Sequence, residues 1–190
     1  MEKPTKQQAE AAVKLLLDYI VGDKEKETLK DTPARVVKSY TELFSGYNDK
    51  LDSVLNKRFR DISVYDDVVL LKSINFTSTC EHHMLPFTGM VDIAYIPNGE
   101  VVGISKLARL VDMFARRLQI QERMTAEIAC ALQDNLAPKG VAIRVSASHS
   151  CMTHRGAQKG KSIMESIHFT GLYREDSTKR QEFLEMIRRG

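Results

Sequence analysis

An α+β domain with a mostly antiparallel sheet is what this sequence predicts, on three observations. Apolar residues recur at helical spacing in the first 45 residues and again between 107 and 136. Strand-like patterns occupy 67–75, 89–96 and 141–147 instead, with hairpin-like joins. The regular β-α alternation that a doubly wound sheet needs is absent.

Taken in order, residues 5–21 read as an amphipathic helix, with Thr5 and Gln8 placed for a capping box. Ala9, Ala12, Val13, Leu16, Leu17 and Ile20 form its stripe, and Gly22 its stop. A charged connector follows over 23–30. Thr32-Pro33 then supplies an N-cap and a proline at the first helical position, where a missing N–H costs nothing. Val36, Val37, Tyr40, Leu43 and Phe44 line the second helix, and Gly46 ends it. Its opposite face carries Arg35 and Lys38, which spacing alone reads as solvated. Residues 48–66 carry no assignable pattern.

Residues 67–75 (DVVLLKSIN) read as a strand leading into a loop at Cys80. From Gly89 to Ile96, Val91, Ile93 and Tyr95 alternate inward against Met90, Asp92 and Ala94, closing on the Pro97-Asn98-Gly99 turn. Val101 and Val102 make a short strand. Two helices follow, one carrying Leu107, Leu110, Val111, Phe114 and Leu118, the other Met124, Ile128, Ala131, Leu132 and Leu136. Their break lies near 118–121. Cys130 is expected as a small buried hydrophobe. Val141, Ile143, Val145 and Ala147 alternate in a strand that delivers His149 and Cys151 at its end. A basic loop, a last strand over 166–173 and a polar C-terminal helix complete the chain. The expected division is a helical segment over 1–66 and a sheet-bearing domain over 67–190.

Composition narrows the function classes. The 190 residues are 43% hydrophobic and 28% charged, an ordinary soluble balance that supports one well-cored domain. A net charge of +3 argues for neither nucleic acid nor membrane, though it leaves room for a basic pocket. No apolar run approaches the roughly 18–20 residues of a membrane helix. Met1-Glu2-Lys3-Pro4-Thr5-Lys6-Gln7 has no signal-peptide core. With three cysteines and no export signal, a disulfide framework is not expected and the cytosol is the expected compartment.

The chemistry is concentrated in Cys80-Glu81-His82-His83 and His149-Ser150-Cys151. Cys80 and His83 have a Cys-x-x-His spacing that lets one turn of loop offer sulfur and nitrogen to one ion, usually zinc. With Cys151 they would make three protein ligands and leave a fourth position to water, the pattern of a catalytic zinc site. Such a site brings the pKa of water to roughly 7, and His82 and His149 are then natural general acid/base groups. A structural site closed by His82 or His149 stays open as an alternative, as do free cysteines without metal. A second constellation is basic. Ser105, Lys106 and Arg109 open a helix and Arg155 follows Cys151, with Glu122 near a helix break. Together they suit a ligand with an anionic end and a donor-rich edge such as guanine.

Several motifs resemble one family, in order. They are Asp31-Thr32-Pro33-Ala34-Arg35-Val36, Phe44-Ser45-Gly46-Tyr47, Thr77-Ser78-Thr79-Cys80-Glu81-His82-His83 and Ala94-Tyr95-Ile96-Pro97. Gly103-Ile104-Ser105-Lys106-Leu107-Ala108-Arg109, Arg117-Leu118-Gln119-Ile120-Gln121-Glu122-Arg123-Met124-Thr125 and His149-Ser150-Cys151-Met152-Thr153-His154-Arg155-Gly156 follow. This set, spread over 30–175, resembles GTP cyclohydrolase I. The resemblance implies a tunnelling-type (T-fold) α+β domain with two long helices on one face of its sheet, assembled as a homodecamer with active sites between subunits. It implies conversion of GTP and water to formate and 7,8-dihydroneopterin triphosphate, the first step of tetrahydrofolate and pterin synthesis. Cys80, His83 and Cys151 would bind zinc, whose water attacks C8 of the guanine. His82 and His149 would handle protons, Glu122 and Gln121 would hold the pyrimidine edge, and Ser105 the ribose. Lys106, Arg109 and Arg155 would take the triphosphate. By the same resemblance Arg35 and Lys38 reach it from a neighbouring subunit, against the solvated reading.

The sequence departs from the family pattern at three places. Glu165-Ser166-Ile167-His168 replaces a Thr/Ser-rich run and keeps one hydroxyl, Gly22-Asp23-Lys24-Glu25 replaces a Gly-x-Asp/Asn-Pro stretch, and His154 precedes Arg155. The first keeps open a paralogue with a related purine substrate or an enzyme stopping at the formamide. A binding protein that senses a pterin or purine is the other class, and an open metal site argues against it.

Overall fold

The computed structural model describes residues 2–22, 27–60 and 65–189. It divides into two compact units, Met1–Ser45 and Gly46–Gly190. The expected division after residue 66 marks where the sheet begins; by compactness, residues from Gly46 onward group with the sheet.

In the first unit, α1 (Lys6–Val21) starts on the expected capping box. The Gln8 N–H donates to Thr5 Oγ1 at 3.3 Å and the Thr5 N–H to Gln8 Oε1 at 2.8 Å. Gly22 closes the helix at a φ of 61°. The second helix, α2 (Thr32–Leu43), begins one residue before the expected start, with Asp31 at the N-cap. The Asp31 carboxylate makes no capping bond there and reaches Arg35 at 3.4 Å instead. The helix also stops at Leu43, ahead of Gly46. The helices pack on each other, yet neither has a fully buried residue. Residues 23–26, half of the 23–30 connector and all but Gly22 of the departure at 22–25, lie outside the described residues.

The second unit opens with a 3-10 turn around Gly46, buried so tightly that a Cβ there would sit 2.2 Å from the Met113 carbonyl oxygen. The segment without an assignable pattern forms α3 (Leu51–Val54) and β1 (Arg58–Phe59). β2 (Val69–Cys80) runs past Asn75 to Cys80 itself, so residues 77–80 are strand and not loop. Their Thr and Ser side chains alternate across a pleat that β3 (Pro86–Ile96) extends from its other side, pairing Asn75 with Met90 and Thr79 with Pro86. A bulge at Ser73, with φ 58°, turns its N–H onto Asp92 Oδ1 at 2.9 Å. β4 (Val101–Val102) pairs with β1.

Next come α4 (Ile104–Ala115), the two-residue β5 (Leu118–Gln119) at the expected break, and α5 (Gln121–Leu136). β6 (Gly140–His149) leads into a single turn, α6 (Ser150–Thr153), and then β7 (Met164–Phe169). The expected strand over 166–173 therefore ends at Phe169. Gly171, at φ 49° and with room for no Cβ, which would sit 2.3 Å from the Lys139 carbonyl oxygen, turns the chain into α7 (Gly171–Glu175), followed by α8 (Ser177–Arg188).

The main sheet has the order β5-β2-β3-β6-β7, antiparallel except for the short parallel β5. One face packs Phe76, Phe87, Val91, Ile93 and Val145 against α4 and α5, as expected for the fold class. The other face is covered at one end, where Ala94, Ile96 and Ala142 meet Tyr173, Phe183 and Ile187. Ala94 and Asp92, expected to face outward, are consequently buried, Asp92 with an Arg144 nitrogen 3.1 Å away. Cys130, expected inside, is exposed on α5.

Candidate active site

The Cys80–His83 pair is built by the hairpin between β2 and β3. Cys80 donates its N–H to the Leu85 carbonyl at 2.8 Å, and the Met84 N–H returns to the Cys80 carbonyl at 2.8 Å. Met84 closes this turn in the left-handed region, at φ 53°. The turn leaves Cys80 Sγ 3.8 Å from His83 Nδ1. Across the sheet, Phe87 pairs with His149, so β6 ends level with the hairpin and α6 brings Cys151 to it. The ligand atoms of Cys80, His83 and Cys151 all lie within 4.8 Å of one another.

This donor set fits a metal ion. Two sulfurs and one imidazole nitrogen form a soft, tetrahedral-capable group. Cys80 is buried, Cys151 half-buried and His83 exposed, so the group is open on one side. Burial and the adjacent Cys80 push the Cys151 thiol up, a penalty on two neighbouring thiolates that a bound cation would reverse.

Two histidines flank the group. His149 is half-buried, its ring stacked on Phe87 at 4.5 Å and 3° from parallel. Its Nε2 lies 2.7 Å from Gln121 Oε1. Desolvation holds its pKa below the ordinary value, while the Glu122 carboxylate pulls the other way. His82 is exposed, with Nε2 3.8 Å from Glu81 Oε1. The other Glu81 oxygen pairs with Arg123, and that hydrogen bond holds the carboxyl below the usual range. Arg123 also donates to the Leu118 carbonyl and to Gln119 Oε1, each at 3.1 Å, so the Cys80–His83 turn is tied to the start of α5.

The remaining predicted residues are distributed as follows. Glu122 is exposed in the first turn of α5. Gln121 is only 1% exposed, and its amide nitrogen lies near the carbonyls of Val145 (3.2 Å) and Met164 (3.1 Å) and near Ser166 Oγ (3.1 Å). Ser105 and Arg109 are exposed near the α4 N-terminus, where Lys106 is only 8% exposed. Arg155 is exposed beyond α6, and its charge is felt at the Cys151 thiol. Among the described residues, no hydrogen bond or ion pair joins Ser105, Lys106 or Arg109 to the Cys80–His83–Cys151 group. Arg35 and Lys38 are exposed on α2 of the first unit. Sequence reasoning missed the stacking of Phe87, the Arg123–Glu81 pair and the contacts of Ser166 with Gln121 and Thr125. Only Ser166 had a signal, as the hydroxyl kept in the departure at 165–168.

A family model for GTP cyclohydrolase I matches residues 9–188. The chain belongs to the GTP cyclohydrolase I family. It is 53% identical over 186 residues to GTP cyclohydrolase 1 of Rickettsia felis, covering 98% of both chains. It is 51% identical over 187 residues to GTP cyclohydrolase 1 of Rickettsia prowazekii, again with 98% of each covered. Among solved structures, the archaeosine synthase QueF-Like in the apo form aligns with a TM-score of 0.46 at 20% identity, over 55% of this chain and 93% of that one. In this GTP cyclohydrolase I chain, motifs far apart in sequence meet where β2, β6 and α5 come together.

Proposed function

We propose that this chain hydrolyses GTP at C8 of the guanine, releases formate, and rearranges the remainder to 7,8-dihydroneopterin triphosphate, opening tetrahydrofolate and pterin synthesis. The observation that carries this reading is the convergence of Cys80, His83 and Cys151 within 4.8 Å in a chain of the GTP cyclohydrolase I family. We assign zinc to these three residues. When bound, it supplies the Lewis acidity that makes water a competent nucleophile near neutral pH.

The chain's own residues do the rest. His149, with its ring plane fixed by Phe87 and one nitrogen by Gln121, holds and returns protons as the imidazole ring of the base opens. His82, exposed beside Glu81, does the same from the hairpin turn during deformylation, ribose opening and rearrangement. Glu122 accepts N–H bonds from the guanine edge, where the resemblance also puts Gln121, and Ser105 binds the ribose. Lys106, Arg109 and Arg155 neutralise the triphosphate, with the N-terminus of α4 adding its dipole. Arg35 and Lys38 join them from a neighbouring subunit of a homo-oligomer, a decamer. Exposed Leu15, Leu16, Tyr19 and Ile20 on α1 support burial of that helix in an assembly. The catalytic domain is 67–190, preceded by a helical segment. No helix among the described residues is long and apolar enough to cross a membrane, and we assign a cytoplasmic location.

The test is purified protein with GTP, read for formate and for the pterin chromophore with and without a zinc chelator. Both products, lost together on chelation, are expected. Neither product from zinc-loaded protein would overturn the assignment. Formate without the pterin would mark an enzyme arrested after ring opening.

A further inference from the structure

Every polar atom of the Gln121 side chain is engaged by protein. Two of the acceptors around Nε2 are the backbone carbonyls of Val145 and Met164, which can only accept. A flipped amide would set Oε1 against both oxygens, so they fix the NH2 on their side. Oε1 must then face His149, and at 2.7 Å the bond requires a hydrogen on His149 Nε2.

The third acceptor completes the circuit. Thr125 Oγ1 donates to the Gln121 carbonyl at 2.7 Å, which uses its only hydrogen. The 2.6 Å contact between Thr125 Oγ1 and Ser166 Oγ therefore has Ser166 as donor. That leaves Ser166 Oγ free to accept from Gln121 Nε2 at 3.1 Å. Ser166 is also paired with Val145 across β6 and β7, so the sheet register places hydroxyl and carbonyl together.

We propose that Gln121, fixed by Val145, Met164 and Ser166, is a positioning residue that holds His149 in the tautomer with its hydrogen on Nε2. Neutral His149 then carries its lone pair on Nδ1, and any proton it moves passes through Nδ1 while the hydrogen on Nε2 stays there, donated to Gln121 Oε1. Stacking on Phe87 fixes the ring plane, and the Gln121 bond fixes rotation within it. This deepens the proposed function, since it rests on His149 handling protons there. It also takes the Gln121 side chain out of base recognition and leaves that edge to Glu122.

The test uses the full, zinc-loaded chain. Gln121→Leu should lower kcat about 10–100-fold while KM for GTP stays within about twofold. Ser166→Ala should shift kcat in the same direction by about 3–10-fold, and Ser166→Thr, which keeps the hydroxyl, should recover most of that loss. Unchanged kcat with a raised KM in Gln121→Leu would make it a substrate-binding residue and overturn the proposal. Nitrogen NMR of 15N-histidine-labelled protein, with His149→Ala for assignment, reads the tautomer without GTP. The Nε2–H form in the parent protein, mixed with the Nδ1–H form in Gln121→Leu, is expected. An Nδ1–H form in the parent overturns the proposal. Should the parent fail to turn over GTP, the functional reading falls and the nitrogen signature still decides the tautomer. Should Gln121→Leu fail to fold, the Ser166 pair decides in its place.

Discussion

Phe87 and His149 are register partners across β3 and β6, and their rings lie stacked 4.5 Å apart. A core aromatic, itself 1% exposed, thus serves as the platform for a ring at the site. Phe87→Leu keeps an apolar side chain and removes the flat face. It should cost about 1–2 kcal/mol of stability and lower kcat about tenfold through loss of ring alignment. A denaturation curve beside a formate assay checks both.

Cys151 and Cys130 separate a metal role from general thiol chemistry. Cys151→Ser removes one of the three converging donors, and the variant should no longer hold stoichiometric zinc. Formate release should fall to about one hundredth or less. Cys130→Ser, at an exposed position on α5, should change neither. Elemental analysis of both variants after gel filtration supplies the comparison.

Asp92 ties three strands together. It accepts from the Ser73 N–H at the bulge and from Arg144, which also pairs with Glu165 on β7. Asp92→Ala should destabilise by about 1–3 kcal/mol, because the bulge N–H and one end of the half-buried Arg144 lose their partner. Urea denaturation should show a lower midpoint with an unchanged slope, and the folded fraction should still bind zinc.

Tyr173 is fully buried, and its hydroxyl has no hydrogen-bond partner among the described residues. Burial, reinforced by the Glu182 charge, pushes its phenol up to about 12. Above pH 10 the unfolded chain releases a proton that the folded chain keeps. Stability therefore falls as the pH rises from 10 to about 12, and is unaffected by this group below that window. Tyr173→Phe should be neutral to about 2 kcal/mol stabilising at pH 7 and should flatten the alkaline loss. Melting temperatures of both proteins between pH 7 and 11 test the sign.

The fold was readable where one physical signal dominated. The Thr5–Gln8 box, the alternation of Val141, Ile143 and Val145, and the break before Gln121 each correspond to an observed element. Boundaries failed where tertiary pairing decided them. Polar residues 77–79 are strand because β3 pairs with them, and Asp92 and Ala94 are buried because α8 and Arg144 cover a face that alternation alone reads as solvent. At the site, the Cys-x-x-His spacing pointed to the hairpin donors and the end of β6 to the third. The Gln121 amide could not be read that way, because its partners Val145, Met164 and Ser166 meet it only through the register of β6 and β7.

The most direct test is a zinc titration of metal-stripped protein, with bound zinc and formate release from GTP measured on the same samples. Activity should rise in proportion to bound zinc and level off at one ion per chain, as a single Cys80–His83–Cys151 site requires. Full formate release without zinc, or none with the site filled, would contradict the account.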